Sequence, residues 1–312
     1  MPVTAMSTPA IRLLVAALLC AVGAACSTAW AAGRTTAEVL AASTAADWRT
    51  VAPENILMME TDGGRILIEL APQFAPLHAQ NLRALARGHY WDDLAIVRVQ
   101  ENYVVQWGDP AADDPQKAKD FGKAKRSLPP EFDRPLKDLS FTPLADGDVY
   151  APEVGFAQGF PAARDPAKGR AWMAHCYGTV GAGRGDTADS GSGAELYVVI
   201  GHAPRHLDRN ITPVGRVLRG MEALTTLPRG SGPLGFYEDP AQHVRIRSIR
   251  LGSDLPQAQR TPLQVLRTDT PLFAEYVDSR RHRRESWFLD KVGHVELCNV
   301  AIPVRDASPA TG

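Results

Sequence analysis

The sequence predicts a mostly β protein with few helices, and three observations carry that expectation. Glycine and proline number 26 and 24 among 312 residues, a content suited to many turns rather than to a helix bundle. Short runs rich in β-branched residues recur at 96–99, 103–105, 195–200 and 244–251. Turn clusters such as Asp62-Gly63-Gly64 punctuate them. With 45% apolar residues the chain can bury a real core. Its 34 basic and 35 acidic residues give no global attraction to nucleic acid or anionic lipid.

The N-terminus reads as an export signal. Arg12 precedes Leu13-Leu14-Val15-Ala16-Ala17-Leu18-Leu19, and Ala29-Trp30-Ala31 offers an A-x-A cleavage pattern. The apolar core is too short for a spanning helix, so no stable membrane insertion is expected after cleavage. A lipoprotein signal ending at Cys26 is the second reading; Gly23-Ala24-Ala25 lacks the large aliphatic residue that such signals prefer. The mature chain is expected to begin near Ala32 in a periplasm-like compartment. Of the cysteines at 20, 26, 176 and 298, cleavage leaves Cys176 and Cys298. They are either bridged, as an oxidising compartment invites, or two small buried thiols. No C-x-x-C occurs, so neither a redox motif nor a cysteine zinc site is supported.

Residues 32–54, rich in alanine and threonine, read as a tether. A first strand is expected at 56–60. After the hairpin turn, residues 65–70 alternate with Ile66, Ile68 and Leu70 on one face. Pro76 opens a helix carrying Leu77, Leu82, Leu85 and Ala86, which Gly88 ends. The stretch 94–110 reads as two buried strands joined at Gln100, Glu101 and Asn102. Arg98 interrupts this apolar run, and a charge there needs a partner or a task. On the residues alone, it is an arginine whose stem packs on a barrel wall while its head reaches water.

Periodicity is lost over 111–170, which reads as an insertion of functional loop or mobile decoration, with a solvated charged run at 117–126. The next strand is expected at 171–180, followed by a glycine-rich loop from Gly181 to Gly193 that lacks the context of a phosphate cradle. Its Arg184-Gly185-Asp186 tripeptide is common by chance and is given no role. His202 and His206 are separated by Pro204 and share no helix face, so they are read as exposed loop histidines rather than zinc ligands. Gly220-Met221-Glu222 opens a short helix. The strand at 244–251 slips its alternation at Ser248, which suggests a bulge. Residues 253–312 form a C-terminal extension, with a helix over 271–288 and a strand over 294–304 docked on the barrel. Its cluster Arg280-Arg281-His282-Arg283-Arg284 is read as a solvated helix end, ahead of a contact with an acidic partner or lipid.

Several motifs, in order, resemble the cyclophilin-type peptidyl-prolyl isomerases. They are Ile96-Val97-Arg98-Val99, Tyr103-Val104 and Gln106-Trp107-Gly108-Asp109-Pro110. Upstream, Thr61-Asp62-Gly63-Gly64-Arg65-Ile66, Leu70-Ala71-Pro72, Asn81-Leu82 and Leu85-Ala86 extend the resemblance. Downstream it resumes at 192–200 and 207–217, and Ser127-Leu128-Pro129-Pro130-Glu131-Phe132 resembles the family's Pro-x-Glu-Phe segment. The resemblance spans most of 55–252. It implies a closed eight-stranded antiparallel β-barrel capped by helices, with the helix–strand extension appended.

The resemblance also implies a chemistry. An X-Pro bond isomerises slowly because twisting it loses amide resonance, and the twisted nitrogen regains a lone pair. A catalyst need only hold the ring and offer that lone pair a donor, with no cofactor or metal. Arg98 is then the donor, suited by its fixed charge and planar fork, and Gln106 positions it or the peptide carbonyl. Tyr103, Val104, Tyr197, Leu207 and Ile211 form the proline pocket, and Ala182 and Leu196 complete the peptide-binding set. For each of these apolar residues ordinary core packing is the other reading. The chain departs from the family in several places. Val97 stands for a histidine, and Tyr103 and Tyr197 for phenylalanines. His206 stands for the tryptophan that binds a cyclic-peptide inhibitor, and Gly181-Ala182-Gly183 for Ala-Asn-Ala. Two classes follow: an isomerase assisting the folding of exported proteins, with proline-containing polypeptides as partners, or a non-catalytic peptide-binding scaffold on the same fold.

Overall fold

A computed structural model describes residues 33–112, 114 and 116–307. The export signal and Cys26 lie outside the described residues. Strands are numbered in chain order, β1 to β16, and fall into three sheets.

The first sheet is the expected closed barrel. It comprises β2 (Ile56–Thr61), β3 (Gly64–Leu70), β4 (Ala95–Val99), β5 (Val104–Gly108), β11 (Thr179–Ala182), β12 (Leu196–Val199), β13 (Pro213–Arg219) and β14 (Val244–Leu251). The order is β11-β12-β5-β4-β14-β2-β3-β13. Every pair is antiparallel, and closure leaves no free edge. Period-2 alternation sends Leu57, Met59, Ile66, Ile68, Val105, Trp107, Val180, Val198 and Ile249 into one interior core. The β14 register shifts between Ile246 and Ser248, where the sequence suggested a bulge.

Helix α2 (Pro76–Arg87) runs from Pro76 to its Gly88 cap and lays Leu82 and Leu85 on the barrel core, while Leu77 is exposed. The backbone N–H groups of Leu77 and His78 donate to Glu131 at 3.0 and 2.9 Å. A carboxylate thus sits at the helix N-terminus, where orphan donors and the dipole favour it.

The segment read as a tether is not one. Residues 36–41 form α1 (Thr36–Ala41), started by a Thr35–Glu38 capping box, and β1 (Trp48–Thr50) pairs with β15 (Leu263–Leu266). The signal missed was Val39, Trp48 and Val51 spaced among small residues. The insertion is likewise ordered: β6 (Arg134–Pro135), β7 (Thr142–Pro143), β8 (Glu153–Ala157), β9 (Phe160–Asp165) and β10 (Arg170–Met173) form a sheet in the order β6-β10-β9-β8-β7. Hence the strand expected at 171–180 is two. β10 ends this sheet and β11 returns to the barrel, divided by Gly178 with φ +80°.

The short helix opened at Gly220 is α3 (Met221–Thr225). In the C-terminal extension the helix is α4 (Pro271–Arg281), shorter than expected: Arg280, Arg281 and Arg284 occupy the next turn of its buried face, and Arg284 turns back to Asp278. Residues 294–304 are not one strand. A 3₁₀ turn at Leu297–Asn299 interrupts them, and β16 (Val304–Asp306) pairs with β15 rather than with the barrel. Val295, Leu297, Val300 and Ile302 are all buried, so the turn preserves the face that alternation seemed to require. The arginine cluster is mostly engaged within the chain: Arg281 with Asp146, Arg284 with Asp278, Arg280 with the Asn299 carbonyl.

These three segments share a second core. Val39, Val51, Phe156, Trp172, Leu263, Phe273 and Leu297 pack with Ile56, Met58 and Leu67 on the outer faces of β2 and β3. That explains why β2 is almost continuously apolar: both of its faces are covered. Cys176 and Cys298 are joined by a disulfide within this core. Among the described residues no helix is long and apolar enough to cross a membrane.

Candidate active site

On β4 and β5 the turn closes with Asn102 at φ +52°, a conformation asparagine tolerates. Alternation turns Val105 and Trp107 inward and leaves Val104 and Gln106 on the outer face. A register shift between Ile96 and Arg98 sets Arg98 opposite Gln106. The Arg98 Nη1 donates to Gln106 Oε1 at 3.0 Å and Nε donates to the Leu234 carbonyl at 2.7 Å. Nη2 donates to Gln100 Oε1. The guanidinium lies 5.6 Å from the Tyr103 ring centre and 5.3 Å from that of Phe236. Burial lowers its pKa, with Tyr103 opposing, but an arginine starts so high that it stays charged. Three of its five N–H groups are engaged, and one on each terminal nitrogen is left for a ligand.

The Gln106 amide is fixed from both ends. Oε1 accepts from Arg98, and Nε2 donates to Glu195 Oε2 at 3.1 Å. Glu195 fits because Gly108 opposite it has no side chain; a Cβ there would fall 2.6 Å from the Glu195 Cγ. Sequence reasoning placed Glu195 only at the start of a strand. Its signal was a carboxylate heading an otherwise apolar run. Leu234 and Phe236, distant in sequence, were also missed; the loop reaches the site through a bridge between Arg98 and Phe236.

Beside the arginine, Val104, Tyr197 and Val199 form an apolar cluster with Tyr103, Leu207 and Ile211 packed against it. Five residues expected in the proline pocket therefore meet outside the barrel wall, next to Arg98. Ala182 and Leu196 do not join them. Both alternate inward and lie in the barrel core, 2% and 1% exposed, so their assignment to peptide binding is corrected. Their outward neighbours Gly181 and Tyr197 hold that face, paired in register. A Cβ on Gly181 would sit 2.2 Å from the Tyr197 hydroxyl, so the glycine gives the phenol its room. Burial pushes the Tyr197 pKa well above its ordinary value, keeping the hydroxyl protonated. His206 is exposed and stacks near Tyr103, ring centres 6.3 Å apart and 13° from parallel.

The arrangement offers an apolar recess for a ring, a fixed cation beside it and an oriented amide. Among the described residues no group of three His, Cys, Asp or Glu is placed to hold a metal.

A family model described as cyclophilin type peptidyl-prolyl cis-trans isomerase/CLD matches residues 56–251. The chain resembles the crystal structure of cyclophilin AquaCyp293 from Hirschia baltica, with 27% identity and a TM-score of 0.62 over 84% of this chain and 95% of that one. That likeness is wider than the family model's span. Among curated proteins, it is 24% identical over 196 residues to peptidyl-prolyl cis-trans isomerase-like 4 of Mycosarcoma maydis, covering 62% of this chain but 33% of that protein. It is 24% identical over 185 residues to a probable peptidyl-prolyl cis-trans isomerase of Brucella suis, covering 57% of this chain and 74% of that protein. The chain thus spans about a third of the first of these relatives and three quarters of the second.

Proposed function

The chain belongs to the cyclophilin-type peptidyl-prolyl cis-trans isomerase family, and from that membership we propose that it isomerises X-Pro bonds in exported polypeptides. One observation carries the reading. Arg98, held in place by Gln106, Gln100 and the Leu234 carbonyl, stands with free N–H groups at the edge of an apolar cluster.

In this reading the proline ring sits among Tyr103, Val104, Tyr197, Leu207 and Ile211. As the bond twists, its nitrogen becomes pyramidal and gains a lone pair, and a free N–H of Arg98 donates to it. The barrier of ~18–20 kcal/mol falls because the donor is charged, preorganised and partly withdrawn from water. Gln106 holds the guanidinium from one side while Glu195 holds Gln106, so the donor needs no reorganisation during the twist. No bond to the protein forms or breaks.

Export is supported by two features. The apolar run 13–19 is followed by an A-x-A pattern at 29–31, and the Cys176–Cys298 disulfide suits an oxidising compartment. The non-catalytic alternative would not require a fully braced arginine. The test is NMR exchange or a protease-coupled assay on an Ala-Pro peptide. Acceleration proportional to enzyme supports the reading, and binding without acceleration rejects it.

A further inference from the structure

Behind Tyr197 lies a chain of buried polar groups that the isomerase chemistry does not use. The Tyr197 hydroxyl meets His175 Nε2 at 2.8 Å, and His175 Nδ1 meets Asp208 Oδ1 at 2.9 Å. His175 is 0% exposed. A carboxylate can only accept, so Nδ1 carries a proton, and with the ring neutral Nε2 accepts from the Tyr197 hydroxyl. Asp208 Oδ1 also accepts from the His175 backbone N–H at 2.9 Å, which fixes the histidine at both ends. Asp208 Oδ2 accepts from Arg205 Nε at 2.7 Å. The Arg205 Nη1 then forms an ion pair at 2.7 Å with Asp148 Oδ2, both side chains almost wholly buried. Asp148 belongs to the inserted segment, as does Tyr150, whose ring lies 5.2 Å from the Arg205 guanidinium.

We propose that His175 is a positioning residue for the proline pocket, and that Asp148 of the insertion sets the Tyr197 ring through Arg205, Asp208 and His175. The inference rests on the isomerase reading for its functional consequence. Each link leaves the next a single arrangement. Asp148 and Asp208 hold Arg205 between them, Arg205 and the histidine N–H groups hold Asp208, and the remaining lone pair of His175 faces the phenol. Gly181 on the other side lets the hydroxyl reach it. A phenylalanine at 197 would have no use for this chain. The insertion therefore acts on substrate preference through the pocket wall. Gln106 lies beside Tyr197 across β5 and β12, but the side-chain hydrogen bonds of Arg98 and Gln106 go to Leu234, Gln100, each other and Glu195, not to Asp148, Arg205, Asp208, His175 or Tyr197.

The test is a cycle of Asp148→Asn and Tyr197→Phe on the full chain, read with an Ala-Pro peptide and by NMR of the tyrosine hydroxyl. Asp148→Asn is expected to raise KM about threefold to tenfold, the size of coupling within one shared network, with kcat within about twofold. The Tyr197 hydroxyl proton, protected in the wild type, should exchange at least about tenfold faster in Asp148→Asn. With Tyr197→Phe already present, Asp148→Asn should leave KM unchanged. An equal KM rise in both backgrounds, or unchanged hydroxyl exchange in Asp148→Asn, overturns the proposal. If Asp148→Asn does not fold, Arg205→Lys keeps the charge but loses the fork and is read the same way. A wild type that binds the peptide without accelerating exchange defeats the isomerase reading alone. Kd then replaces KM, and without binding the hydroxyl exchange decides.

Discussion

Replacing Arg98 with alanine separates catalysis from architecture. The substitution removes hydrogen bonds to Leu234, Gln106 and Gln100 and the cation beside Tyr103 and Phe236. Hydrogen bonds of this kind contribute about 0.5–1.5 kcal/mol each, and water replaces part of that at a half-buried site. A net loss of roughly 1–3 kcal/mol would lower Tm by several degrees in a domain of this size. The catalytic loss is larger: a preorganised charged donor is worth about 2.7–4 kcal/mol, or roughly 10²–10³ in rate. It should fall mainly on kcat, since the lone pair exists only in the twisted state. Arg98→Lys keeps the charge but cannot reach Leu234, Gln106 and Gln100 together, so it should recover little. Circular dichroism, melting and Ala-Pro isomerisation would be measured on one preparation. A folded Arg98→Ala protein within threefold of wild-type kcat would refute the assignment.

Other outcomes follow from the same geometry. Reducing the Cys176–Cys298 disulfide, or Cys298→Ser, should lower Tm, with an entropic limit near ~4.7 kcal/mol for a loop of roughly a hundred residues; identical melting with and without reductant would deny it a stabilising role. Gly181→Ala drives a Cβ into the Tyr197 phenol and should cost about 1–3 kcal/mol by overpacking, together with a raised KM; titrating urea denaturation and activity checks both. Burial alone would raise the Asp208 carboxyl, but the His175 hydrogen bond and the Arg205 charge outweigh it and hold its pKa below the ordinary range. Its contribution is therefore fully present above the unfolded value of about 3.9 and lost as pH falls through the lower folded value. Tm measured from pH 7 to pH 2 should stay level to about pH 5 and then fall, and Asp208→Asn should flatten that fall. His206→Trp should tighten binding of the family's cyclic-peptide inhibitor at least about tenfold, or ~1.4 kcal/mol, by isothermal titration.

The barrel strands were legible because short β-branched and apolar runs recur between turn residues, whether one face is buried or, as in β2, both. The helix over 76–87 was legible from Pro76 and Gly88 for similar reasons. Arg98 and Gln106 were legible only through the family's order of motifs; their apolar surroundings alone favoured a packed stem. What stayed hidden depends on pairing between distant segments. β8 and β9 are joined by Gln158-Gly159, both at positive φ, a hairpin signal weaker than Asn-Gly and set among alanines. β1 has three residues and gains its meaning only from β15, some two hundred residues on. Ala182 and Leu196 were misassigned because a motif names neighbours along the chain, while the strand alternates them across the wall.

The inserted and terminal segments bear on the pocket through one short stretch. Ala174 and Cys176 pack in the outer core, Cys176 is bonded to Cys298 of the C-terminal extension, and His175 between them is buried beneath the pocket. A single turn of chain thus joins the extension's disulfide to the hydrogen bond that meets Tyr197. The backbone there has little freedom. The Cys176 N–H donates to Thr179 Oγ1 and the His175 N–H to Asp208, while Thr179 Oγ1 donates to the Ala174 carbonyl. Displacing this turn would move the histidine that fixes the phenol, whereas the braces on Arg98 come from β4, β5 and the 234–236 loop. The two halves of the site are therefore held by different parts of the molecule: the charged donor by the barrel, and the pocket wall by the barrel and its additions together. Perturbing the additions should alter which prolines are held before it alters how fast a held proline turns.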